Sequence, residues 1–248
     1  MTTTFYIVKH SQTEGNIGKV IEGQSDSPLT EEGRRQSLAL ADRLKDISFD
    51  VVLSSDTMSA FRTAEAKKPK LIIINGALGV GKTTLAKRYA SEHPLTLQID
   101  IDEVRRQISS WREEKEMSGM LSKQIACEMA RTHLLSLHDV VVSQIFIQSE
   151  HLEKLEAIAQ ACGADFHEFL LCIPREEAVT RFVKRGQAGG YPDGFRPGGL
   201  VDLGGREKKV LQMYDDMMAM IAQRPGTRVI DAQEGNREAT YQVLLESL

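Results

Sequence analysis

The chain has 248 residues, of which 41% are hydrophobic and 27% are charged, and its formal net charge is −4. This composition is typical of a globular protein and argues against a disordered chain or a strongly basic nucleic-acid-binding one. No apolar run reaches membrane-spanning length, and the first residues lack the pattern of a signal peptide. We therefore expect a cytoplasmic protein that binds neither nucleic acid nor membrane.

The number and spacing of the cysteines also limit the possible classes of protein. The chain has three cysteines, Cys127, Cys162 and Cys172, which is an odd number without close pair spacing. This pattern suggests neither a disulfide framework nor a zinc site. We expect three buried thiols.

The first 66 residues predict the order strand, helix, strand, helix. Phe5–Val8 and Val51–Leu53 are short apolar runs with strand character. Between them, Thr30 is placed to cap a helix whose first turn carries Glu31 and Glu32. The segment Ala66–Lys70 is basic and contains a proline. We place a domain boundary there, which gives domains of 1–66 and 67–248.

A phosphate-binding loop is the strongest motif in the chain. Gly76–Thr83 fits the pattern G-x-x-x-x-G-K-[ST], between a predicted buried strand at Leu71–Ile74 and a predicted helix at Thr84–Tyr89. In this context backbone amides and the helix N-terminus bind phosphate, Lys82 reaches the outer phosphates and the Thr83 hydroxyl ligates Mg²⁺. The predicted cofactors are ATP and Mg²⁺. The predicted nucleotide-binding residues are Gly76, Gly79, Val80, Gly81, Lys82, Thr83 and Thr84.

The chain after this loop alternates apolar runs with helical stretches. The runs are 95–101, 140–147, 169–173 and 228–230. Such alternation predicts an α/β fold, with a parallel sheet, helices on both faces and ligands at the carboxyl ends of the strands. Farther on, Val210, Tyr214 and Met217 recur at helical spacing, which predicts a core-facing helix.

Two aspartates end the strand that follows the loop. Asp102 is our candidate for the base on the acceptor side, and Asp100 is our candidate for the metal shell. Alternatively, Asp102 only caps a helix that begins near Glu103. The next strand ends in Ser143 and Gln144, where a carboxylate for the metal is often found. Either Asp100 takes that role, or uncharged polar groups hold the waters of Mg²⁺.

Cations for the transferred phosphoryl group are expected from a helix that begins near Glu176. Arg181 and Arg185 lie four residues apart, and therefore on one face. The alternative is a solvated charged face. Residues 184–205 contain eight glycines and predict a long, mobile lid loop. Arg196 and Arg206 are further lid candidates.

Together these residues resemble P-loop kinases of nucleosides and small molecules, the group of shikimate kinase, gluconate kinase, chloramphenicol phosphotransferase and zeta-toxin-like kinases. The resemblance runs from Pro69 to the C-terminus. It implies the strand order 2-3-1-4-5, acceptor contact by Asp102, a lid with Arg181 and Arg185, and an adenine-contacting loop at Asp231–Asn236. It places the acceptor between Val104 and Arg131, near Arg105, Trp111 and Arg112. Trp111 could equally be a packed core residue.

Val8–Asn16, Gly23–Thr30 and Ser54–Asp56 resemble the opening of a histidine phosphatase of the phosphoglycerate mutase type. His10 matches the nucleophile in the Arg-His-Gly motif of that family, but Lys9 and Ser11 replace the arginine and the glycine of the motif, and Ser59 stands where a second arginine is expected. The resemblance ends after Glu65, before the acid and the second histidine. It implies half of such a domain, in which His10 is vestigial.

The sequence thus predicts an ATP- and Mg²⁺-dependent phosphotransferase that acts on a hydroxyl of a small molecule or nucleoside, with a catalytically silent N-terminal fragment. Two alternatives stay open: a nucleotide-binding scaffold without phosphoryl transfer, and a residual phosphohistidine phosphatase that uses His10. Half a sheet leaves edges uncovered. Docking on the kinase part, pairing in a homo-oligomer or extension of one sheet would cover them. A natural fusion and a constructed chimera would both give this sequence.

Overall fold

The computed structural model describes residues 4–19, 27–47, 49–55, 57–64, 68–187, 203–232 and 236–248. The chain forms two compact units, Met1–Pro69 and Lys70–Leu248, which are described separately. No helix within these ranges is long and apolar enough to cross a bilayer.

The N-terminal unit contains three helices: α1 (Glu14–Ile17), α2 (Glu31–Leu44) and α3 (Met58–Ala64). Thr30 caps α2 as predicted, because its side chain accepts a hydrogen bond from the Gly33 amide at 2.9 Å. At Gly33 the helix passes very close to the loop before α1. A Cβ atom there would lie 2.0 Å from the Gln12 carbonyl oxygen, so only glycine fits.

The two strands predicted in this unit are wrong. Phe5–Val8 and Val51–Leu53 form no strand in the structure, and Ile7 and Leu53 are 95% and 89% exposed. Within the described part of the unit, the only β-pairing is an antiparallel bridge between Thr13 and Leu29. A strand needs hydrogen-bonded neighbours, whatever its own propensity. The resemblance covers only the opening of a larger domain, so the neighbours it implies are not encoded in this unit.

The C-terminal unit is an α/β fold around a five-stranded parallel sheet. The strand order is β2-β3-β1-β4-β5, which confirms the order implied by the kinase resemblance. Several strands are shorter than the apolar runs that predicted them, because Ile101 already belongs to a helix and β3 ends at Ser143. The strands are β1 (Lys70–Gly76), β2 (Leu97–Ile99), β3 (Val140–Ser143), β4 (Asp165–Cys172) and β5 (Arg228–Asp231).

Seven helices of this unit are described: α4 (Lys82–Glu92), α5 (Ile101–Arg106), α6 (Lys115–Leu135), α7 (Ser149–Ala161), α8 (Arg175–Gln187), α9 (Leu203–Ile221) and α10 (Arg237–Glu246). The central strands are fully enclosed, since every side chain of Leu71–Ile74 and Val140–Val142 has 0% exposure. The core-facing role of α9 is confirmed, with Val210, Tyr214 and Met217 buried.

The lid prediction needs correction at both ends. Lys184–Gln187 continue α8, and Leu203–Gly205 begin α9. Glycine costs a helix only about 1 kcal/mol relative to alanine. Burial of Phe182 on α8 against Val210 on α9 offsets this cost on both helices. Residues 188–202, which include Arg196 and most of the predicted lid, lie outside the described residues.

Candidate active site

The loop between β1 and α4 has the backbone that phosphate binding requires. Gly76, Gly79 and Gly81 have φ angles of 150°, 80° and 107°, a region that side chains disfavour. At Gly76 a Cβ atom would lie 2.7 Å from the Leu171 carbonyl oxygen. At Gly81 it would meet no atom within 4 Å. The loop is therefore packed against β4 at its start and open at its end, where a ligand can approach the backbone.

Helix α4 begins directly at this open end. Its N-cap is Gly81, and no side chain caps the first turn. An uncapped N-terminus presents backbone amides and the positive end of the helix dipole, which together favour anions. Val80 is buried, Thr83 is half-buried and Thr84 is exposed in that first turn. The structure thus brings the predicted nucleotide-binding residues into one loop and turn, whose shape fits a phosphate chain.

The Lys82 ammonium group is held over the loop by two carbonyl groups. Its Nζ donates hydrogen bonds to the Gly76 carbonyl oxygen at 2.8 Å and to the Ala77 carbonyl oxygen at 2.9 Å. These contacts fix a cation at the start of the loop. Phosphate oxygens are stronger acceptors for a cation than neutral carbonyl oxygens are. The lysine is therefore placed to exchange partners when a nucleotide binds.

Asp100 is the residue that caps α5, so the alternative that Asp102 caps this helix is wrong. The Asp100 Oδ1 atom accepts hydrogen bonds from the amides of Asp102 at 3.0 Å and Glu103 at 3.3 Å. The helix starts at Ile101, two residues earlier than expected. The proposed metal role of Asp100 stays a prediction, and one of its carboxylate oxygens is already engaged in the cap.

Asp102, in the first turn of α5, has the properties of a candidate base. The side chain is accessible to solvent, yet protein atoms around its carboxyl group and the neighbouring Asp100 carboxylate raise its pKa. A hydrogen bond with Gln144 and the charges of Arg105 and Arg106 act in the opposite direction and are weaker in sum. A carboxylate of raised pKa accepts a proton more readily, which suits general base catalysis.

The end of β3 contributes Ser143 and Gln144. Ser143 lies opposite Ile74 of β1, is buried, and its hydroxyl group has no hydrogen-bond partner in the structure. The Gln144 side chain forms a hydrogen bond with Asp102. The Gln144 backbone amide donates a hydrogen bond to the Ile74 carbonyl oxygen at 3.3 Å. Because β1, β3 and β2 are parallel neighbours, their carboxyl ends place the phosphate loop, Ser143 and the two aspartates at one edge of the sheet.

Sequence reasoning missed one residue that shapes this edge. Asn75, which is fully buried, accepts hydrogen bonds through Oδ1 from the amides of Gly76 at 2.8 Å and Phe146 at 3.0 Å. Its side-chain amide also donates to the Phe146 carbonyl oxygen at 3.2 Å. The asparagine thus ties the start of the phosphate loop to the segment after β3. A polar residue directly after four apolar strand residues was the available signal.

The described contacts of Arg181 differ from those of the predicted phosphate-binding cation. Its guanidinium group donates to Glu177 from Nε at 2.8 Å and to the Ala232 carbonyl oxygen at 2.8 Å, and its side chain is only 12% exposed. Its backbone also lies against the phosphate loop, 3.4 Å from where a Cβ atom on Gly79 would be. The side chains of Arg185 and Arg206 lie outside the described part of the structure.

The predicted acceptor region contains an aromatic residue between cations. Trp111 is half-buried, with the Arg112 guanidinium 4.4 Å and the Arg105 guanidinium 5.7 Å from its ring centre. Arg105 is held in turn by a hydrogen bond from Nε to Ser118 at 3.0 Å. Trp111 is therefore not a fully packed core residue. Its role in acceptor binding stays a prediction.

In the N-terminal unit, His10 is half-buried and its Nδ1 atom lies 2.9 Å from the Ser11 carbonyl oxygen. A carbonyl oxygen only accepts, so this contact assigns the ring proton to Nδ1. Ser11 itself is buried. Its hydroxyl group accepts a hydrogen bond from the Ser37 hydroxyl group at 2.7 Å, and its backbone amide donates one to the Thr63 hydroxyl group at 3.1 Å. A buried, hydrogen-bonded serine stands where the resemblance expects glycine, so the surroundings of His10 differ from those that the resemblance implies.

Other features of the described structure lie apart from this sheet edge. A groove of about 620 Å³ is lined by Leu97, Ile125, Met129 and His133 among others, and it includes no phosphate-loop residue. Cys127 and Cys162 are buried as predicted, whereas Cys172 is only partly buried, and none of the three is in a disulfide in the structure. Within the described ranges, no three or more His, Cys, Asp or Glu side chains are grouped to hold a metal ion.

Two family models match the chain. Residues 5–74 match the histidine phosphatase superfamily (branch 1), and residues 71–194, half of the chain, match a family described as AAA domain. Among curated relatives, a probable phosphoglycerate mutase GpmB from Cronobacter sakazakii is 45% identical over 60 residues. That alignment covers 24% of this chain and 28% of the relative, so the chain spans little more than a quarter of the curated relatives it matches.

Solved structures similar to this chain include kinases. A candidate kinase from Chloroflexus aurantiacus superposes with a TM-score of 0.53 and 17% identity, covering 73% of this chain and all of the other. A shikimate kinase from Bacteroides thetaiotaomicron gives a TM-score of 0.47 with 18% identity, covering 71% of this chain and 96% of the other. The first likeness establishes the fold alone, and the second is too distant to carry an argument.

The phosphate loop, the strand order and the family match all indicate a P-loop protein. The chain belongs to the AAA-domain family of P-loop proteins, with a kinase-like fold, and its residues 5–74 are similar to the histidine phosphatase superfamily.

Proposed function

We propose that residues 70–248 form an ATP- and Mg²⁺-dependent phosphotransferase that moves the γ-phosphoryl group to a hydroxyl group of a small molecule or nucleoside. One observation carries the proposal. The phosphate loop lies at the same edge of the sheet as Asp102, whose pKa is raised. In this loop the space beside Gly81 is unoccupied, and hydrogen bonds hold the Lys82 ammonium group over the loop.

Each part has a role in that reaction. Phosphoryl transfer requires positioning and charge stabilisation far more than covalent chemistry. The amides of the α4 first turn and Lys82 bind and orient the phosphates. Asp102 orients the acceptor hydroxyl and accepts its proton, with Gln144 holding the carboxyl group in place. The hydrogen bond of Arg181 to Ala232 supports the segment that the resemblance assigns to the adenine.

The donor set fits magnesium and nucleotide. Thr83 in the loop, Asp100 at the end of β2 and the unpartnered Ser143 hydroxyl at the end of β3 are oxygen groups, which Mg²⁺ prefers. When bound, Mg²⁺ would neutralise charge on the phosphates.

The test is ATP consumption by the full chain across nucleosides, sugars, sugar acids and hydroxylated antibiotics, with Lys82→Ala as the control. The proposal predicts ADP formation above the acceptor-free rate with at least one acceptor class, abolished in Lys82→Ala. Acceptor-dependent turnover that persists in that variant would show that the reaction occurs elsewhere.

A nucleotide-binding scaffold is the second candidate, because no carboxylate follows β3 at Ser143 and Gln144. A scaffold binds ATP without consuming it. The same panel separates the two functions: binding of ATP with no ADP formation by any acceptor favours the scaffold.

A further inference from the structure

One buried polar group at the proposed site has no partner. Ser143 is 2% exposed, and its hydroxyl group makes no hydrogen bond in the structure. An unpaired hydroxyl in a buried position is unfavourable, so it usually has a structural or functional reason. The three residues before it in the strand, Val140–Val142, are apolar and fully buried, so Ser143 is the first polar residue of β3.

The position of Ser143 separates it from the other buried polar atoms without a partner. In the described ranges these belong to Arg34, Gln98, His151 and His167, which lie on helices or within strands. Ser143 instead is the last residue of β3, at the carboxyl edge of the sheet.

Its neighbours at that edge are the parts of the nucleotide site. Ser143 pairs with Ile74 of β1, and two residues later Gly76 opens the phosphate loop. On the other side β3 pairs with β2, which leads into Asp100 and Asp102. The hydroxyl therefore lies on the strand between the phosphate loop and the two aspartates.

A Mg²⁺ ion bound at this edge would need an additional oxygen group in its outer shell. P-loop proteins commonly hold Mg²⁺ with the loop Ser or Thr hydroxyl and an aspartate from another strand. Here the strand beside the loop supplies no carboxylate, and Asp100 uses Oδ1 to cap α5. Mg²⁺ keeps several of its waters, and those waters donate hydrogen bonds to outer groups.

We propose that the Ser143 hydroxyl accepts a hydrogen bond from a water of the nucleotide-bound Mg²⁺, and so takes the outer place that a carboxylate would otherwise occupy. The inference rests on the proposed function, because it requires that the loop binds a magnesium nucleotide. It makes Ser143 a positioning residue for the metal, and one without charge.

The test measures ADP affinity by calorimetry on the full chain, once in EDTA and once in saturating Mg²⁺. The ratio of the two dissociation constants is the magnesium gain. Loss of an outer partner typically lowers metal affinity by about tenfold or more. We expect Ser143→Ala to lower the magnesium gain about tenfold, while ADP affinity in EDTA stays within about twofold of wild type.

Two further variants separate the hydroxyl from its packing. Ser143→Thr keeps the hydroxyl group and is expected to keep the magnesium gain. Ser143→Val introduces a side chain of the same shape as threonine but without the hydroxyl group, and is expected to lose the gain. This pair decides the question if Ser143→Ala does not fold. Ser122→Ala is the control, since Ser122 is a buried serine whose hydroxyl already donates to the Gly119 carbonyl oxygen at 3.0 Å.

The results distinguish two failures. If the wild type binds no ADP in Mg²⁺, the proposed function is wrong, and the inference is overturned with it. If the wild type shows a magnesium gain and Ser143→Ala and Ser143→Val both keep it, the inference alone is overturned. The hydroxyl is then simply an unpaired group in the sheet.

Discussion

The Arg181 guanidinium group donates a hydrogen bond to the Ala232 carbonyl oxygen at 2.8 Å, which ties α8 to the segment after β5. The kinase resemblance implies that this segment contacts the adenine, so we expect Arg181→Ala to weaken the binding of ADP by about tenfold and to affect pyrophosphate much less. A hydrogen bond from a charged group is worth about 1.5–3 kcal/mol, which is consistent with that loss.

The matched control is Arg175→Ala, on the same helix, because the Arg175 guanidinium group instead pairs with Asp215 of α9 at 2.7 Å. Calorimetric titration with ADP and pyrophosphate measures both effects. An equal loss for the two ligands would instead assign Arg181 to the phosphates, as the sequence predicted.

Substitution of the loop glycines should separate steric clash from backbone strain. At Gly76 an added Cβ atom meets the Leu171 carbonyl oxygen at 2.7 Å, whereas at Gly81 it meets nothing within 4 Å. We expect Gly76→Ala to lower the free energy of unfolding by about 3 kcal/mol or more, and Gly81→Ala by about 1–2 kcal/mol through its φ angle alone.

Gly226→Ala is the control for these substitutions, since its φ is not in the left-handed region and nothing lies within 4 Å of the added atom. Its effect should stay within about 0.5 kcal/mol. Urea unfolding measures all three variants. Equal losses at Gly76 and Gly81 would mean that the contact with β4 is unimportant.

Asp102 should leave a signature in the pH dependence of both stability and turnover. Its raised pKa means that the native state binds this proton more tightly than the unfolded state does. Its contribution to stability is therefore complete below the unfolded pKa and is lost as pH rises through the folded pKa. We expect Asp102→Asn to be more stable than wild type at neutral pH, with the difference vanishing in acid.

The same substitution should lower turnover by about 10²–10⁴-fold, the usual contribution of a general base. The wild-type rate should fall on acidification at a higher pH than an ordinary aspartate would give. The measurements are urea unfolding and a profile of kcat/KM against pH. A variant that keeps wild-type turnover would remove Asp102 from the reaction.

The features predicted best from sequence were those fixed by neighbours along the chain. Thr30 caps α2 because the acceptor and the amide lie three residues apart. The phosphate loop also follows from its local context. Individual side-chain contacts between residues far apart in the sequence were missed, although the strand order implied by the kinase resemblance was correct. Asn75 bridges to Phe146, Gln144 reaches Asp102, and Arg181 bonds Ala232, all across long sequence separations.

The errors have the same physical origin. Phe5–Val8 has strand propensity, but a strand exists only when another backbone accepts its hydrogen bonds. The glycines near residues 186 and 204 suggested a loop, yet packing of Phe182 against Val210 extends both helices into that region. Local preference was overruled in the first case because a pairing strand is lacking, and in the second case because a tertiary contact is present.

His151 should make the protein sensitive to acid. The ring is buried, its Nε2 atom has no partner, and burial lowers the pKa to about 4. The stabilising contribution of the neutral ring is complete above the unfolded pKa of 6.5 and is lost as pH falls toward 4. The shift corresponds to at most about 3 kcal/mol.

His151→Phe removes this titration and keeps an aromatic ring beside Phe146, whose centre lies 5.7 Å away. We expect the stability lost between neutral pH and about pH 4.5 to shrink by about 2 kcal/mol in the variant. Urea unfolding at the two pH values measures it. Identical losses in wild type and variant would show that His151 takes up its proton as readily in the folded protein as in the unfolded chain.

The most direct test of the whole account follows the γ-phosphoryl group itself. ATP labelled at the γ-phosphorus is incubated with the full chain, Mg²⁺ and pools of hydroxyl acceptors, beside Lys82→Ala and Asp102→Asn. The account predicts that label moves from ATP to an organic acceptor with the wild type and with neither variant. Tight ATP binding with no labelled product from any pool, or label released only as inorganic phosphate, would contradict it.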